Sequence, residues 1–330
     1  MAFAHQTNES CPLCTSSAFT PTEQTLNLAD ILARWQTEAG IMLRDSVWKE
    51  YTHPTGRQVT LYRCQKCGFA RFKPPLAGSQ EFYADVAAEE YYVPEKWEFF
   101  QAIKDLRRHK SRRLLDVGCG SGQFLELLGQ NTRTVEYAGY EFSPEAAGSA
   151  RSRGHTVYEG LFPEAVLQAN ESEPFDVVCV FQVIEHIVDP VRFIKAIEEL
   201  LRPQGMLIIS VPNADGPLRF FSDALTDIPP HHVSRWCGSA FRIGMPALGF
   251  TVKKIAREPL PDYLWESYLP VMWESNIWPA VICRLLDNLK RMEKADRISW
   301  FIQKMKSLKV RWLWGVPGHT LYAVLQLMEK

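Results

Sequence analysis

The stretch Arg112 to Leu128, RRLLDVGCGSGQFLELL, decides the fold. An apolar run (Leu114, Leu115, Val117) ends in Asp116-Val117-Gly118-Cys119-Gly120-Ser121-Gly122, and Phe124, Leu125, Leu127 and Leu128 follow at helical spacing. The pattern predicts a strand, a glycine turn and a helix. Glycines permit the tight turn and remove Cβ atoms that would keep a ligand off the backbone, while the first N–H groups of the helix face that ligand. Downstream, Val135 to Phe142 predicts a second strand that delivers Glu141, a carboxylate able to accept hydrogen bonds from both hydroxyls of a ribose. Ser143-Pro144 opens the next helix.

Two further stretches extend the pattern: Phe175 to His186, FDVVCVFQVIEH, and Leu200 to Asn213, LLRPQGMLIISVPN. Together with DVGCGSG and GYEFSP at these spacings, they resemble the ordered motifs of class I S-adenosylmethionine-dependent methyltransferases over about residues 110–260. A dinucleotide-binding domain would carry G-x-G-x-x-G, whereas this turn is G-x-G-x-G. The resemblance implies an α/β fold: a Rossmann-like seven-stranded sheet with helices on both faces and S-adenosylmethionine across the carboxyl ends of its strands. It further implies that Asp116, Gly118, Gly120 and Gly122 hold the methionyl part, Glu141 the ribose, Leu161 the adenine and Gln182 the methionine side. Glu185-His186 is a fingerprint of the same family, and Glu185 is expected to cap or bond local backbone.

The chain has 330 residues, 46% of them hydrophobic, enough for a large core and about two domains or one with elaborations. Its net charge of −1 argues against a polyanionic partner such as nucleic acid. MAFAHQTNES is not a signal peptide, and no apolar run nears the ~18 residues of a membrane span, so the chain reads as cytoplasmic. In that compartment the eight cysteines are thiols or metal ligands rather than disulfides.

Cys11-Pro12-Leu13-Cys14 and Cys64-Gln65-Lys66-Cys67-Gly68 are two C-x-x-C knuckles. Such spacing lets two thiolates reach one ion, and two knuckles complete the tetrahedral sulfur site that zinc prefers. N-terminal four-cysteine modules also occur in a subset of the family that the chain resembles. The zinc would be structural, since four protein sulfurs leave no open position. The long gap is expected to hold helices and a strand over 26–48, with Thr60 to Arg63 leading a strand into the second knuckle. Pro74-Pro75 ends the module, which sets the expected organisation: 1–75 zinc-binding module, 76–110 linker and cofactor-covering helix, 111–330 methyltransferase domain. Tyrosines in Glu81-Phe82-Tyr83 and Glu90-Tyr91-Tyr92 either approach the cofactor or pack between domains.

Beyond the fifth strand (Met206 to Val211) comes Asp227-Ile228-Pro229-Pro230-His231-His232-Val233-Ser234-Arg235-Trp236. Open α/β sheets bind ligands at this edge. His231 or His232 serves as general base for an acceptor hydroxyl, or both only fix the loop. As neighbours on an extended segment they are expected to point to opposite sides, so that one is catalytic. Gly249 to Glu258 and Gly318 to Leu327 are the sixth and seventh strands, which makes 259–316 a tryptophan-rich helical insertion. Its Lys304, Lys306, Lys309 and Arg311 among apolar residues leave a membrane-surface contact open beside packing on the domain or on a second subunit.

The sequence thus predicts a methyltransferase with S-adenosylmethionine as cofactor, a structural zinc and a small hydroxylated acceptor, free or as a nucleotide- or lipid-linked sugar. The rivals are an RNA methyltransferase with a zinc module and a non-catalytic cofactor-binding protein. Oligomeric state is not legible.

Overall fold

The computed structural model describes residues 10–52, 57–86, 96–108, 112–132, 136–160, 162–169, 173–275 and 293–329. The chain begins with β1 (Phe19–Asn27), α1 (Leu28–Thr37), α2 (Asp45–Thr52), β2 (Gln58–Cys64), β3 (Ala70–Lys73) and α3 (Gln80–Val86). Asn27 caps α1 by accepting the Ala29 N–H at 2.9 Å. Leu28, Ile31, Leu32 and Trp35 of α1 and Val47 and Tyr51 of α2 bury against Leu61, Phe72 and Phe82. The helices expected between the knuckles are therefore present, whereas the strand expected with them over 26–48 lies almost entirely ahead of that range, as β1.

Next come α4 (Trp97–Leu106), β4 (Arg113–Val117), α5 (Gln123–Asn131), β5 (Glu136–Tyr140), α6 (Pro144–Ser152), β6 (Val157–Tyr158), α7 (Glu164–Ala169), β7 (Phe175–Phe181), α8 (Pro190–Leu200) and β8 (Leu201–Pro212). The chain ends with β9 (Ser234–Arg235), α9 (Gly238–Gly244), β10 (Phe250–Pro261), α10 (Trp265–Glu274), α11 (Lys294–Ser307) and β11 (Trp312–Leu327). The seven-stranded sheet has the order β10-β11-β8-β7-β4-β5-β6, parallel except for β11, which runs antiparallel to β8 and β10.

Every residue of β7, FDVVCVF, is buried, as a central parallel strand covered on both faces requires. Alternate residues go to opposite layers. Val177, Cys179 and Phe181 join α4 and α5 in one core, while Val178 and Val180 join α8 and α9 in the other. β5 and β7 flank β4 on opposite sides, so the chain reverses direction at β4. Ligands bind in the crevice at such a switch point, and the glycine turn and Gln182 both emerge there.

Three expectations need correction. The fifth strand starts at Leu201, because a bulge between Phe175↔Leu201 and Val177↔Met206 absorbs Gly205 within β8. The third strand, for which the sequence pattern predicts His155 to Glu159, is only Val157–Tyr158. The last hairpin runs further than expected, since bulges near Pro259 let Leu260 and Pro261 pair with Leu313 and Trp312. Only 262–311 therefore lies outside the paired strands. Within it, Trp265, Leu269 and Met272 of α10 and Ile298, Phe301 and Ile302 of α11 pack together on Leu260, Leu313 and Val316 of the hairpin. Residues 276–292 of the insertion lie outside the described residues. No described helix is long and apolar enough to cross a membrane.

One connection is not legible in the sequence. β9 pairs with β3, so four strands in the order β1-β2-β3-β9 make up the N-terminal sheet. The Phe72 N–H also donates to the Val233 carbonyl at 2.9 Å. The loop carrying His231 and His232 is thereby fastened to the cysteine-bearing module.

Candidate active site

At the end of β4 the Gly118 N–H donates to the Tyr140 carbonyl of β5 at 2.8 Å, and Gly118 has a φ of 79°. A Cβ there would lie 2.4 Å from Val183 Cγ2, so only glycine fits. Gly122, at φ 88°, occupies the position just before α5. Asp116, 2% exposed, lies in β4 immediately before the turn, and its Oδ1 has no hydrogen-bond partner among the described residues. Burial, and then the charge of Glu141, pushes its carboxyl up to about 8. This buried acid suits a cationic ligand. S-adenosylmethionine, with its sulfonium and ammonium, meets that requirement.

Glu141 Oε2 accepts the Gly120 N–H at 2.8 Å, and Oε1 accepts the Ser143 N–H at 2.9 Å. The carboxylate therefore ties the glycine turn to the start of α6. Each oxygen keeps a second lone pair, so a ribose diol can still be accepted. Gln182, directly after β7, is held at φ 56° by its N–H donating to the Ser210 carbonyl at 2.9 Å. A non-glycine residue in that region is strained, as residues at functional sites often are. Its side chain donates to Glu98 Oε1 at 3.1 Å. Leu161, expected against the adenine, lies outside the described residues, as do Tyr91 and Tyr92.

His231 and His232 do not point apart. The His232 N–H donates to the Ile228 carbonyl at 3.1 Å, closing a turn where an extended segment was expected. The turn brings both rings to one side, with centroids 4.5 Å apart. His186, from the turn after β7, joins them at 4.9 Å from His231 and 4.6 Å from His232. Tyr83 of α3 reaches the same group: its hydroxyl donates to the His231 carbonyl at 3.0 Å and lies 2.8 Å from His186 Nδ1. Burial pushes His186 down to about 4 and His231 and His232 well below their ordinary value. Motif reading assigned neither His186 nor Tyr83 to this group, because they come from elements remote in sequence.

Glu185 also departs from expectation. It is 1% exposed, and neither carboxylate oxygen has a hydrogen-bond partner among the described residues. Its backbone carbonyl, not its side chain, makes the bond here, accepting the N–H of the distant Val233 at 2.9 Å. Arg235 and Trp236 are structural. Arg235 donates to the Ser222 carbonyl at 2.7 Å and to Gln24 at 3.1 Å, and Trp236 is fully buried against Phe69.

These groups border a cavity of about 530 Å³, which runs from Gln182 and Trp97 past His231 and His232 to Tyr263 and Trp312. Glu98, Asp227, Glu258 and Asp262 also line it, against Lys96 and Arg311. Burial pushes Glu258 up to about 7, with Glu98 adding to the shift. At the far wall the Tyr268 hydroxyl bonds His319 Nε2.

The four knuckle cysteines are buried, with their sulfurs all within 4.8 Å of one another. Cys11 Sγ lies 3.7 Å from Cys67 Sγ, and Cys14 Sγ lies 3.5 Å from Cys64 Sγ. In a tetrahedral zinc site with Zn–S near 2.3 Å, sulfurs sit about 3.8 Å apart, so the cluster fits that ion. The second knuckle turns through the Gly68 N–H donating to the Cys64 carbonyl at 2.9 Å, with Gly68 at φ 78°.

A family model described as a methyltransferase domain matches residues 90–254. The ubiquinone biosynthesis O-methyltransferase of Cereibacter sphaeroides strain ATCC 17029 is 35% identical over 129 residues, 38% of this chain and 49% of that protein. The protein of the same name from strain ATCC 17025 is 34% identical over 191 residues, covering 57% and 67%. For the first of these, the chain spans about half the length of the curated relative it matches. Among solved structures, a SAM-dependent methyltransferase from Archaeoglobus fulgidus aligns at TM-score 0.44 and 18% identity over 69% of this chain and 94% of that one. A possible histamine N-methyltransferase from Thermotoga maritima aligns at TM-score 0.45 and 17% identity, covering 72% and 94%.

Proposed function

Because the chain belongs to the class I S-adenosylmethionine-dependent methyltransferases, we propose that it transfers the cofactor's methyl group to a hydroxyl oxygen of a small-molecule acceptor bound in the cavity beside His231 and His232. One observation carries this reading: the cavity runs from Gln182, at the edge expected to hold the methionine part, to two buried imidazoles. The O-methyltransferase names of the relatives support oxygen as the accepting atom. The acceptor is a small hydroxylated metabolite or a sugar. With four carboxylates lining the cavity against two cations, a nucleotide or lipid carrier of that sugar stays outside. The same acidic lining disfavours RNA.

The cofactor's methyl is already activated, so the protein's main task is to align the acceptor oxygen, methyl carbon and sulfur. Asp116, Gly118, Gly120, Gly122 and Gln182 hold the methionyl part, Glu141 the ribose and Leu161 the adenine, while His231 and His232 assist deprotonation of the acceptor. Residues 1–75 act as a zinc-braced support, with zinc on Cys11, Cys14, Cys64 and Cys67, and residues 111–330 carry the chemistry. The test is to supply the protein with methyl-labelled S-adenosylmethionine and a panel of hydroxylated metabolites and sugars. A labelled methyl ether is expected, and label found only on nitrogen or carbon products, or on none, overturns the reading.

Two results are expected at the cofactor. Glu141→Ala loses charge-assisted hydrogen bonds to the ribose worth about 1.5–3 kcal/mol and also frees the Gly120 end of the turn. Calorimetry should therefore show affinity falling roughly ten- to a hundredfold, and unchanged affinity would remove Glu141 from the site. The second concerns pH. In the free protein Asp116 keeps its proton up to about 8, whereas a cation beside it favours the carboxylate. Binding then expels a proton, so affinity should climb as pH rises toward about 8 and level off above it. Asp116→Asn should flatten that slope, and calorimetry in buffers of different ionisation enthalpy counts the proton directly.

A further inference from the structure

We propose that the acceptor carries a protonated amine, and that Glu258, reinforced by Glu98, receives this ammonium group among the aromatic rings of Trp97, Tyr263 and Trp312. All five residues line the cavity that runs from Gln182 past His231 and His232. Trp97 and Glu98 open α4, Glu258 and Tyr263 belong to β10 and the turn after it, and Trp312 begins β11.

Glu98 is 3% exposed and Glu258 4% exposed. A carboxylate buried to that degree is costly unless a cation pairs with it. Among the described residues neither has an ion-pair partner. Their hydrogen bonds come from neutral donors: the Gln182 side chain reaches Glu98 Oε1 at 3.1 Å, and the Thr320 N–H reaches Glu258 Oε2 at 3.1 Å.

The neighbouring cations are engaged elsewhere. Arg235 Nε lies 2.9 Å from Asp227 Oδ2, Lys96 counters the burial of Asp116 and Glu185, and Arg311 is exposed. The cavity histidines add no positive charge, since burial pushes His231, His232 and His319 below their ordinary value. Burial, and then the charge of Glu98, pushes Glu258 up to about 7, the response of a carboxylate that has no cation beside it. The rings point to the same ligand by separate chemistry, because aromatic faces are negative and attract ammonium groups.

The cofactor's own ammonium does not answer Glu258. The residues proposed to bind the cofactor lie in or directly after β4, β5 and β7, whereas β10 is separated from β7 by β11 and β8. Glu98 is bonded to Gln182 and so stands nearer the cofactor, which leaves Glu258 as the residue that discriminates between acceptors.

This inference deepens the reading above and rests on it for the transfer itself. The acceptor hydroxyl gives its proton to His231 or His232, and its oxygen forms the bond to the methyl carbon. The carbon–sulfur bond breaks with its electron pair left on sulfur. The amine changes no bond. A carboxylate beside it favours the charged form, and an ammonium nitrogen has no lone pair with which to compete for the methyl group. The acceptor class is therefore an amino sugar or an amino alcohol that is methylated on oxygen.

The experiment uses the full-length chain saturated with S-adenosylhomocysteine and matched probes: glucosamine against glucose, galactosamine against galactose, and ethanolamine against ethylene glycol. Calorimetry is expected to show the amine-bearing member of at least one pair binding roughly ten- to a hundredfold more tightly, as a charge-assisted contact allows. Glu258→Gln should erase that advantage and leave S-adenosylmethionine affinity unchanged. The comparison within pairs is made on the unmodified protein, so it stands even if the variant fails to fold. Equal binding within every pair overturns the proposal, as does an advantage that survives Glu258→Gln. With S-adenosylmethionine in place, methylation of the amine nitrogen likewise overturns it. Methyl ether formation with no preference for amines refutes the ammonium site and leaves the transfer reading intact. Tight ammonium binding without transfer refutes that reading and leaves the site.

Discussion

Alanine at His231 or His232 is expected to slow methyl transfer by about 10²–10⁴, the range by which assisted proton removal accelerates such a step, with no change in cofactor affinity. Both substitutions should have this effect. An extended segment would have exposed one ring to the acceptor and turned the other away, but the turn closed by Ile228 and His232 brings both to the cavity. The residues proposed to bind the cofactor lie in or directly after β4, β5 and β7, not in this loop, so calorimetry with S-adenosylmethionine should not distinguish the variants from the parent. Two variants with unaltered turnover would make the loop a structural element, and the enzyme would then work by alignment alone.

A comparably large effect is expected from removing zinc. Structural zinc in small peptides is worth about 10–16 kcal/mol of apparent folding free energy at neutral pH, and if the four clustered sulfurs hold the proposed zinc, the module is expected to lose part of its stability without it. Cys64→Ser should lower the bound sulfur-ligated zinc from about one per chain toward zero. The consequence should reach the cavity, because β3 follows the second knuckle and pairs through Ala70 and Arg71 with Arg235 and Ser234. Amide exchange at Phe72 and residues 233–235 is expected to rise in Cys64→Ser, and turnover to fall with it. A metal-free, fully folded and fully active protein would refute the site.

Much of this protein can be read from local pattern. The apolar strand, glycine turn and helix of Arg112–Leu128 determined the central βα unit, because short-range sterics and strand alternation act within a few residues. The fully apolar β7 announced a strand covered on both faces, and paired C-x-x-C spacing announced the cysteine cluster, whose sulfurs the fold brings within 4.8 Å. Glu141 and Gln182 were legible because each directly follows a strand of the sheet. Less legible were the ends of elements. The bulges at Gly205 and Pro259 moved strand boundaries that hydrophobic patterning alone cannot place.

What sequence by itself determined was therefore the family, the sheet and the chemistry that each motif can offer, since those depend on residue types at fixed local spacing. The tertiary structure alone decided which of those groups meet. Glu98 and Glu258 come from distant segments to line one cavity, and Tyr83 and His186 come from two others to pack on the histidines of its wall, and no spacing announces either meeting. It likewise decided that both histidines face the same way, because a single backbone hydrogen bond from His232 to Ile228 turns the chain. Finally, it joined the cysteine module to the histidine loop through two residues of β-pairing, a contact whose partners lie more than a hundred residues apart. Long-range pairings of that kind are selected by the packing of the whole core, so no local pattern records them.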